Sequence, residues 1–245
     1  MLTPTQDPVK RYRLRYNLEA LERVRGAIGE SAYSRLRKLL LFRLEGREFK
    51  RTPTGVKIAV AFSAGSDSTA TLKILRWAGF DVVPITARLP QMGEKTLEKV
   101  RSEKALLVDV PGYEETMRDL IEKGAPICGR CHSMVMEAVE RKARELGIGI
   151  LATGDMLSSG LISIYEKDGI VILNFPAFLA LDKGEIIGII GGEYKLSFGC
   201  PLLWELFRRA PSTKRLALQR VLRETRARAL SPEMAVELMK DVLLR

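Results

Sequence analysis

The three cysteines of this 245-residue chain are spaced for chemistry. Cys128-Gly129-Arg130-Cys131 is a C-x-x-C pair followed directly by His132, and Cys200 stands alone in Gly199-Cys200-Pro201, 69 residues beyond Cys131. An odd number of thiols, with no charged-apolar-small leader ahead of them, argues against a disulfide framework and for metal or redox chemistry. Thiolates at a helix start have lowered pKa values and are ready to coordinate metal or attack sulfur. The string C-x-x-C-H matches haem attachment, but nothing else in the chain supports haem. Cys3His suits zinc, three thiolates suit a [4Fe–4S] cluster with one iron left open, and three unrelated thiols also fit. The residues alone leave these readings open.

A second constellation is Ser63-Ala64-Gly65-Ser66-Asp67-Ser68. An apolar run of strand length, Val56 to Phe62, enters this turn, and an amphipathic helix carrying Leu72, Ile74, Leu75 and Trp77 leaves it, closed by Gly79. Such a strand-loop-helix unit is an anion site. The helix start offers unpaired N–H groups and the positive end of the dipole, and small residues let a phosphate approach the backbone. Neither G-x-G-x-x-G nor G-x-x-x-x-G-K-[ST] is present.

The elements that must hold these residues follow from the rhythm of the chain. From Val56 strand and helix alternate: a second strand over Phe80 to Ala87, a helix over Glu94 to Glu103, a third strand over Ala105 to Val110, and a helix over Tyr113 to Lys123. The C-x-x-C then opens a helix over Ser133 to Leu146, and a buried strand over Ile148 to Thr153 ends at Gly154-Asp155. This predicts an α/β, doubly wound, mostly parallel sheet. Ligands of such sheets sit at the carboxyl ends of the strands, so Ser63, Arg88 and Asp155 are expected to border one crevice. Past Gly160, strand-like pieces of hairpin spacing appear at Leu161 to Tyr165, Ile170 to Leu173 and Glu185 to Ile190, leading through Gly191-Gly192 to Cys200. Helices are expected over Leu202 to Arg209, Ser212 to Ala229 and Pro232 to Leu244. At the other end Asn17 is the expected cap of a helix running to about Phe42 with a break near Gly26 and Gly29.

The net charge of +10 is unevenly placed. Residues 1–51 hold 13 Lys and Arg against 6 Asp and Glu, residues 201–245 hold 10 against 5, and the stretch between holds 17 against 19. The expected organisation is a basic helical N-terminal segment (1–52), a near-neutral catalytic domain (53–200) and a basic helical C-terminal segment (201–245). Basic ends suit a polyanion, and equally an ordinary solvated surface. Arg23, Arg25, Arg35, Arg37, Lys38 and Arg43, interleaved with Tyr12, Tyr16 and Tyr33, are candidate N-terminal contacts. Arg215, Arg220, Arg223, Arg226 and Arg228 are the C-terminal ones. No run of eighteen apolar residues is present, so no membrane partner and a cytoplasmic location are expected.

The S-A-G-S-D-S loop resembles the S-G-G-x-D-S pyrophosphate loop of the N-type ATP pyrophosphatases (PP-loop enzymes), with Ala64 in place of the first glycine. The order of loop, C-x-x-C at a helix start and late Gly-Cys-Pro is similar to iron–sulfur-dependent tRNA thiolation enzymes that make 2-thiouridine or 2-thiocytidine. Ala152-Thr153-Gly154-Asp155 and the residues after it resemble the catalytic domain of 4-thiouridine synthetases.

The resemblance implies an ATP-dependent, AMP- and pyrophosphate-forming sulfurtransferase. ATP would rest on Ser63, Ala64, Gly65, Ser66, Asp67, Ser68 and Gly154, with Mg²⁺ near Asp67. Asp155 would orient Mg²⁺ or take a proton, or else be a turn or helix cap. Cys128, Cys131 and Cys200 would hold a [4Fe–4S] cluster, with zinc as the alternative, or Cys128 or Cys131 would carry a persulfide. Expected partners are tRNA and a sulfur donor protein or sulfide, with a homodimer as an option. The competing readings are a PP-loop ligase or sulfur insertase acting on a small molecule, and a non-catalytic RNA-binding protein.

Overall fold

A computed structural model describes residues 2–156, 163–191 and 196–245. The chain opens with two helices, α1 (Pro8–Arg23) and α2 (Arg25–Glu45). Asp7 starts α1: its carboxylate accepts from the N–H groups of Val9 and Lys10, and Pro8 occupies the first turn. Asn17, expected as the cap, lies instead inside α1 and is buried. Its amide donates to the carbonyl of Phe178 at 2.8 Å, and its oxygen accepts from Ser163 Oγ at 2.6 Å. The Asp-Pro pair is the stronger local start signal, and Asn17 serves a tertiary contact. The break falls at Val24, with a further kink at Gly29, whose φ is +76°.

Six described strands follow: β1 (Lys57–Ala61), β2 (Asp81–Arg88), β3 (Leu106–Asp109), β4 (Ile150–Thr153), β5 (Ile164–Lys167) and β6 (Ile170–Asn174). They form one sheet in the order β3-β2-β1-β4-β6-β5, parallel except for the β5–β6 pair. Between strands run α3 (Ser66–Trp77), α4 (Glu94–Ser102), α5 (Tyr113–Glu122) and α6 (Cys128–Glu145). Successive strand residues point to opposite faces. Ile58, Val60, Ala152 and Leu173 join the apolar core built with α1, α2 and α3. Ala59, Leu151 and Ile172 pack against Val139 and Ala143 of α6. Helices on both faces make the fold doubly wound, as expected.

Three expectations change. The run Glu185 to Ile190 is not a strand but the body of α8 (Lys183–Ile190). Asp182 and Glu185 form a reciprocal capping box there, which outweighs the β-propensity of the isoleucines. The helix expected from Ser133 starts at Cys128, so both C-x-x-C residues lie on its first turn or just beyond. In the expected strand Leu161 to Tyr165, residues 161–162 lie outside the described residues, as does Gly192; β5 begins at Ile164.

The remaining helices are α7 (Phe175–Phe178), α9 (Pro201–Arg209), α10 (Lys214–Arg226) and α11 (Pro232–Leu244). Leu203, Leu206, Phe207, Val221 and Leu238 of the last three pack with Tyr113 and Met117 of α5 and Ile127 before α6. Cys131 and Cys200 border this third apolar cluster. Among the described residues no helix is long and apolar enough to cross a membrane.

Candidate active site

The strand order reverses between β1 and β4, and their carboxyl ends are followed by Ser63–Ser68 and by Gly154-Asp155. That is the topological switch point at which doubly wound sheets bind ligands. Hydroxyls fix the loop after β1. Ser68 Oγ accepts from the Ser63 N–H at 3.3 Å and lies 3.2 Å from Ser63 Oγ, and Thr69 Oγ1 donates to the Gly65 carbonyl at 2.7 Å. Gly65 is the N-cap of α3 and gives it no side-chain cap hydrogen bond, and the start of a helix is where backbone N–H groups and the dipole favour an anion. Ala64 has φ +59°, the left-handed conformation that suits glycine.

Gly154 lies tight against this loop: a Cβ there would come within 2.9 Å of the Ser68 nitrogen and 3.2 Å of the Asp67 carbonyl carbon. Asp155 is half-buried. Its Oδ2 accepts from Thr153 Oγ1 at 3.0 Å, and its carbonyl accepts from the Ala177 N–H at 3.3 Å. Arg88 lies at the exposed end of β2 and pairs with Asp109 at 3.6 Å.

A lysine that the sequence reading missed completes the loop. Lys183, buried at the first position of α8, places Nζ 2.6 Å from Asp67 Oδ1 and 2.7 Å from Ser66 Oγ. Its signal was the capping pattern D-K-G-E over residues 182–185, hidden when the following isoleucines are read as a strand.

The cysteines converge on one region without forming a ligand shell. Cys128 is exposed, Cys131 and Cys200 are half-buried, and Cys131 Sγ lies 3.2 Å from Tyr113 Oη. Desolvation by surrounding protein atoms pushes the Cys131 thiol up, and that of Cys128 as well despite its exposed surface, the opposite of the lowering expected at a helix start. Arg220 opposes this at Cys128 and the Tyr113 hydroxyl opposes it at Cys131, while both thiols also sense Cys200. Arg220 of α10 pairs with Glu224 and lies over the Phe198 ring. Burial depresses its guanidinium pKa, but Glu224 at 2.8 Å and the charges of Cys128 and Asp155 together raise it above its ordinary value. Among the described residues no three Cys, His, Asp or Glu side chains stand as a metal-holding group, and His132 is exposed. The thiols have the right chemistry for a cluster but not the arrangement of one.

The candidate polyanion contacts divide. Arg35 and Arg43 are buried, Arg35 donating to the Thr52 and Ala78 carbonyls and Arg43 to Thr3 and Glu185. Arg25 is paired with Glu22 and Glu30. Arg215, Arg220, Arg223, Arg226 and Arg228 are all exposed, and an open groove of about 830 Å³ runs along α10 past Arg220, Arg223 and Arg226.

No family model matches the chain. It is 30% identical over 250 residues to an uncharacterized protein of Methanocaldococcus jannaschii, covering 96% of this chain and 94% of that one. It is also 32% identical over 142 residues to the tRNA-specific 2-thiouridylase MnmA of Rhodopseudomonas palustris, and 30% identical over the same length to that of Bradyrhizobium diazoefficiens. These two matches cover 47% of this chain and 34% and 35% of those proteins. The chain thus spans about a third of the length of the thiouridylases it matches.

Proposed function

The chain belongs to one family with the Methanocaldococcus jannaschii protein that it matches over nearly its whole length, and on the further likeness of half the chain to tRNA-specific 2-thiouridylases we propose that it is an ATP-dependent PP-loop sulfurtransferase acting on tRNA. The observation that carries this reading is the switch point of the sheet, where the uncapped start of α3 after β1 meets Gly154-Asp155 after β4. Gly154, next to Asp155, is packed on the first turn of α3. A phosphate loop at that point and the C-x-x-C at the start of α6 would supply the two parts of a reaction that activates a carbon with ATP and then attacks it with sulfur.

The residues present fit a nucleotide triphosphate. Ser63, Ala64, Gly65, Ser66 and Ser68 offer the uncapped helix start and hydroxyls for the phosphates, Gly154 lets the end of β4 pack directly on the backbone of that helix start, and Lys183 adds a positive charge at Ser66 and Asp67. Asp67 would hold Mg²⁺, which when bound supplies charge neutralisation at the phosphates. Attack of a base carbonyl oxygen on the α-phosphate expels pyrophosphate and turns that oxygen into part of a good leaving group, AMP. Asp155 would accept the proton released from the base, or orient the Mg²⁺.

The thiols do not stand as a ligand group for an iron–sulfur cluster or zinc among the described residues. Sulfur is carried instead as a cysteine persulfide. Its terminal sulfur attacks the activated carbon and AMP leaves. A second thiolate then attacks the carrier sulfur, releasing the thiocarbonyl base and leaving a disulfide, which a thiol reductant reopens.

Incubation of the protein with ATP·Mg²⁺, a persulfide donor and unmodified tRNA should release pyrophosphate and yield a thionucleoside on digestion of the RNA. Pyrophosphate release that ignores tRNA but responds to a small molecule would replace this reading by a small-molecule sulfurtransferase or ligase. Failure to bind ATP would leave a non-catalytic RNA-binding protein. Iron and sulfide analysis after anaerobic purification tests the cluster separately: stoichiometric [4Fe–4S] would overturn the persulfide route.

A further inference from the structure

Among the three thiols only Cys131 has a hydrogen-bond partner of its own among the described residues. Tyr113, at the first position of α5, is 3% exposed and holds Oη 3.2 Å from Cys131 Sγ. The same oxygen accepts from Gln91 Nε2 at 2.8 Å. A hydroxyl that receives one N–H directs its own hydrogen elsewhere, and the sulfur is the partner at hand. Gln91 sits in the turn between β2 and α4, closed by the Met92 N–H on the Leu89 carbonyl at 3.1 Å. Its Oε1 is buried without a hydrogen-bond partner among the described residues. Leaving a buried amide oxygen unpaired is unfavourable and calls for an explanation. Here it accompanies an N–H fixed on Tyr113, so that three segments far apart in the chain form one line of donors ending on a sulfur.

We propose that Cys131 is the thiol that carries the transferable sulfur, and that Gln91 and Tyr113 are positioning residues that hold a hydrogen-bond donor on it. This deepens, and rests on, the reading of the protein as a sulfurtransferase. In the loading step the Cys131 thiolate attacks the outer sulfur of a polysulfide. One S–S bond forms on Cys131, one breaks in the donor, and the donor leaves one sulfur shorter as a dianion, with no net oxidation. The Tyr113 hydroxyl donates to the resulting anionic persulfide, a charge-assisted bond stronger than one to a neutral sulfur. Cys128, exposed, is left as the attacking thiol that later releases the product.

The test uses the full-length protein with inorganic polysulfide, without ATP or tRNA, followed by alkylation and mass mapping of each cysteine. The expected result is an extra sulfur on Cys131 in the wild type. Tyr113→Phe should lower its occupancy about tenfold, the loss of a charge-assisted hydrogen bond. Gln91→Glu is nearly isosteric, but its carboxylate must accept the Tyr113 hydrogen and draw it away from sulfur. It should reproduce the effect of Tyr113→Phe with a thermal melt close to wild type, which a packing role for Gln91 would not do. Sulfur found mainly on Cys128 or Cys200, or undiminished on Cys131 in both variants, overturns the proposal. If either variant fails to fold, the wild-type map decides by itself. Loading of Cys131 in a protein that never thiolates tRNA would sink the proposed function and leave this assignment standing; thiolation with sulfur on another cysteine would do the reverse.

Discussion

Lys183 gives Asp67 a structural partner as well as a chemical task. The carboxylate at the start of α3 stands out as a candidate phosphate-site residue from S-A-G-S-D-S alone, because strand, loop and helix are contiguous in sequence. The lysine that meets it comes from 116 residues away and follows only from tertiary packing, as do Tyr113 and Gln91 at Cys131. Asp67→Asn is therefore expected to abolish pyrophosphate release and also to lower stability, by about 1–3 kcal/mol, since it takes a charged partner from a buried ammonium. Lys183→Met should weaken ATP binding at least about tenfold, the order of one charge-assisted contact. In the double variant the stability losses should be less than additive. Strict additivity of the melting free energies would show that the 2.6 Å pair is not coupled. Ala64 gives a second expectation. Its φ of +59° carries a steric cost of about 1 kcal/mol for a residue with a Cβ, partly offset by the larger unfolded-state entropy of glycine. Ala64→Gly should thus raise stability by about 0.5 kcal/mol in chemical denaturation, with ATP binding retained. A loss of stability would mean that the partial packing of the Ala64 methyl on the core outweighs the strain.

At the scale of elements, α8 is where sequence periodicity misleads. E-I-I-G-I-I has neither a clear period of two nor an amphipathic helical stripe, and β-branched residues favour a strand. Only the capping box at its start decides the matter. That same turn fastens the N-terminal helices: Lys10 of α1 reaches Asp182 and Glu185, and the buried Arg43 of α2 reaches Glu185. Burial pushes the Asp182 carboxyl up. Lys10, the Glu185 backbone N–H and Arg43 together outweigh this and hold it below the ordinary carboxylate value. A carboxylate depressed in the folded state stabilises the fold above its unfolded pKa, near 4, and that stabilisation disappears as pH falls through the folded value. The melting temperature of the wild type should accordingly drop below about pH 4. Asp182→Asn keeps a side chain able to cap α8 but cannot ionise, so it should melt lower at neutral pH and lose less on acidification. Parallel melting curves for the two proteins between pH 7 and pH 3 would show that this turn contributes nothing to acid sensitivity.

On the scale of the whole molecule, the charge asymmetry is plain from composition, but composition cannot say which cations are free. Arg35 and Arg43 are enclosed and bonded to backbone and carboxylate groups, so their charge is used within the fold. The exposed arginines of α10, of which Arg220, Arg223 and Arg226 line an open groove, are the better candidates for phosphate contacts. Each phosphate neutralised by an arginine releases bound counterion, so the logarithm of the tRNA affinity should fall linearly with the logarithm of salt concentration. Replacing Arg215, Arg223 and Arg226 by Gln should weaken tRNA binding at low salt and make that slope shallower by about one unit for each phosphate that is no longer neutralised. Arg220 is kept intact in this test because its charge also opposes the upward shift of the Cys128 thiol. ATP binding should be unchanged, since the proposed ATP site after β1, with Asp67 and Lys183, includes none of the three replaced arginines. The contrasting variant neutralises Arg23, Arg37 and Lys38, exposed cations of the N-terminal helices. If it reduces the slope and the α10 variant does not, tRNA approaches along α1 and α2. If neither variant changes the slope, the basic ends are solvated surface, and a small molecule becomes the substrate to test.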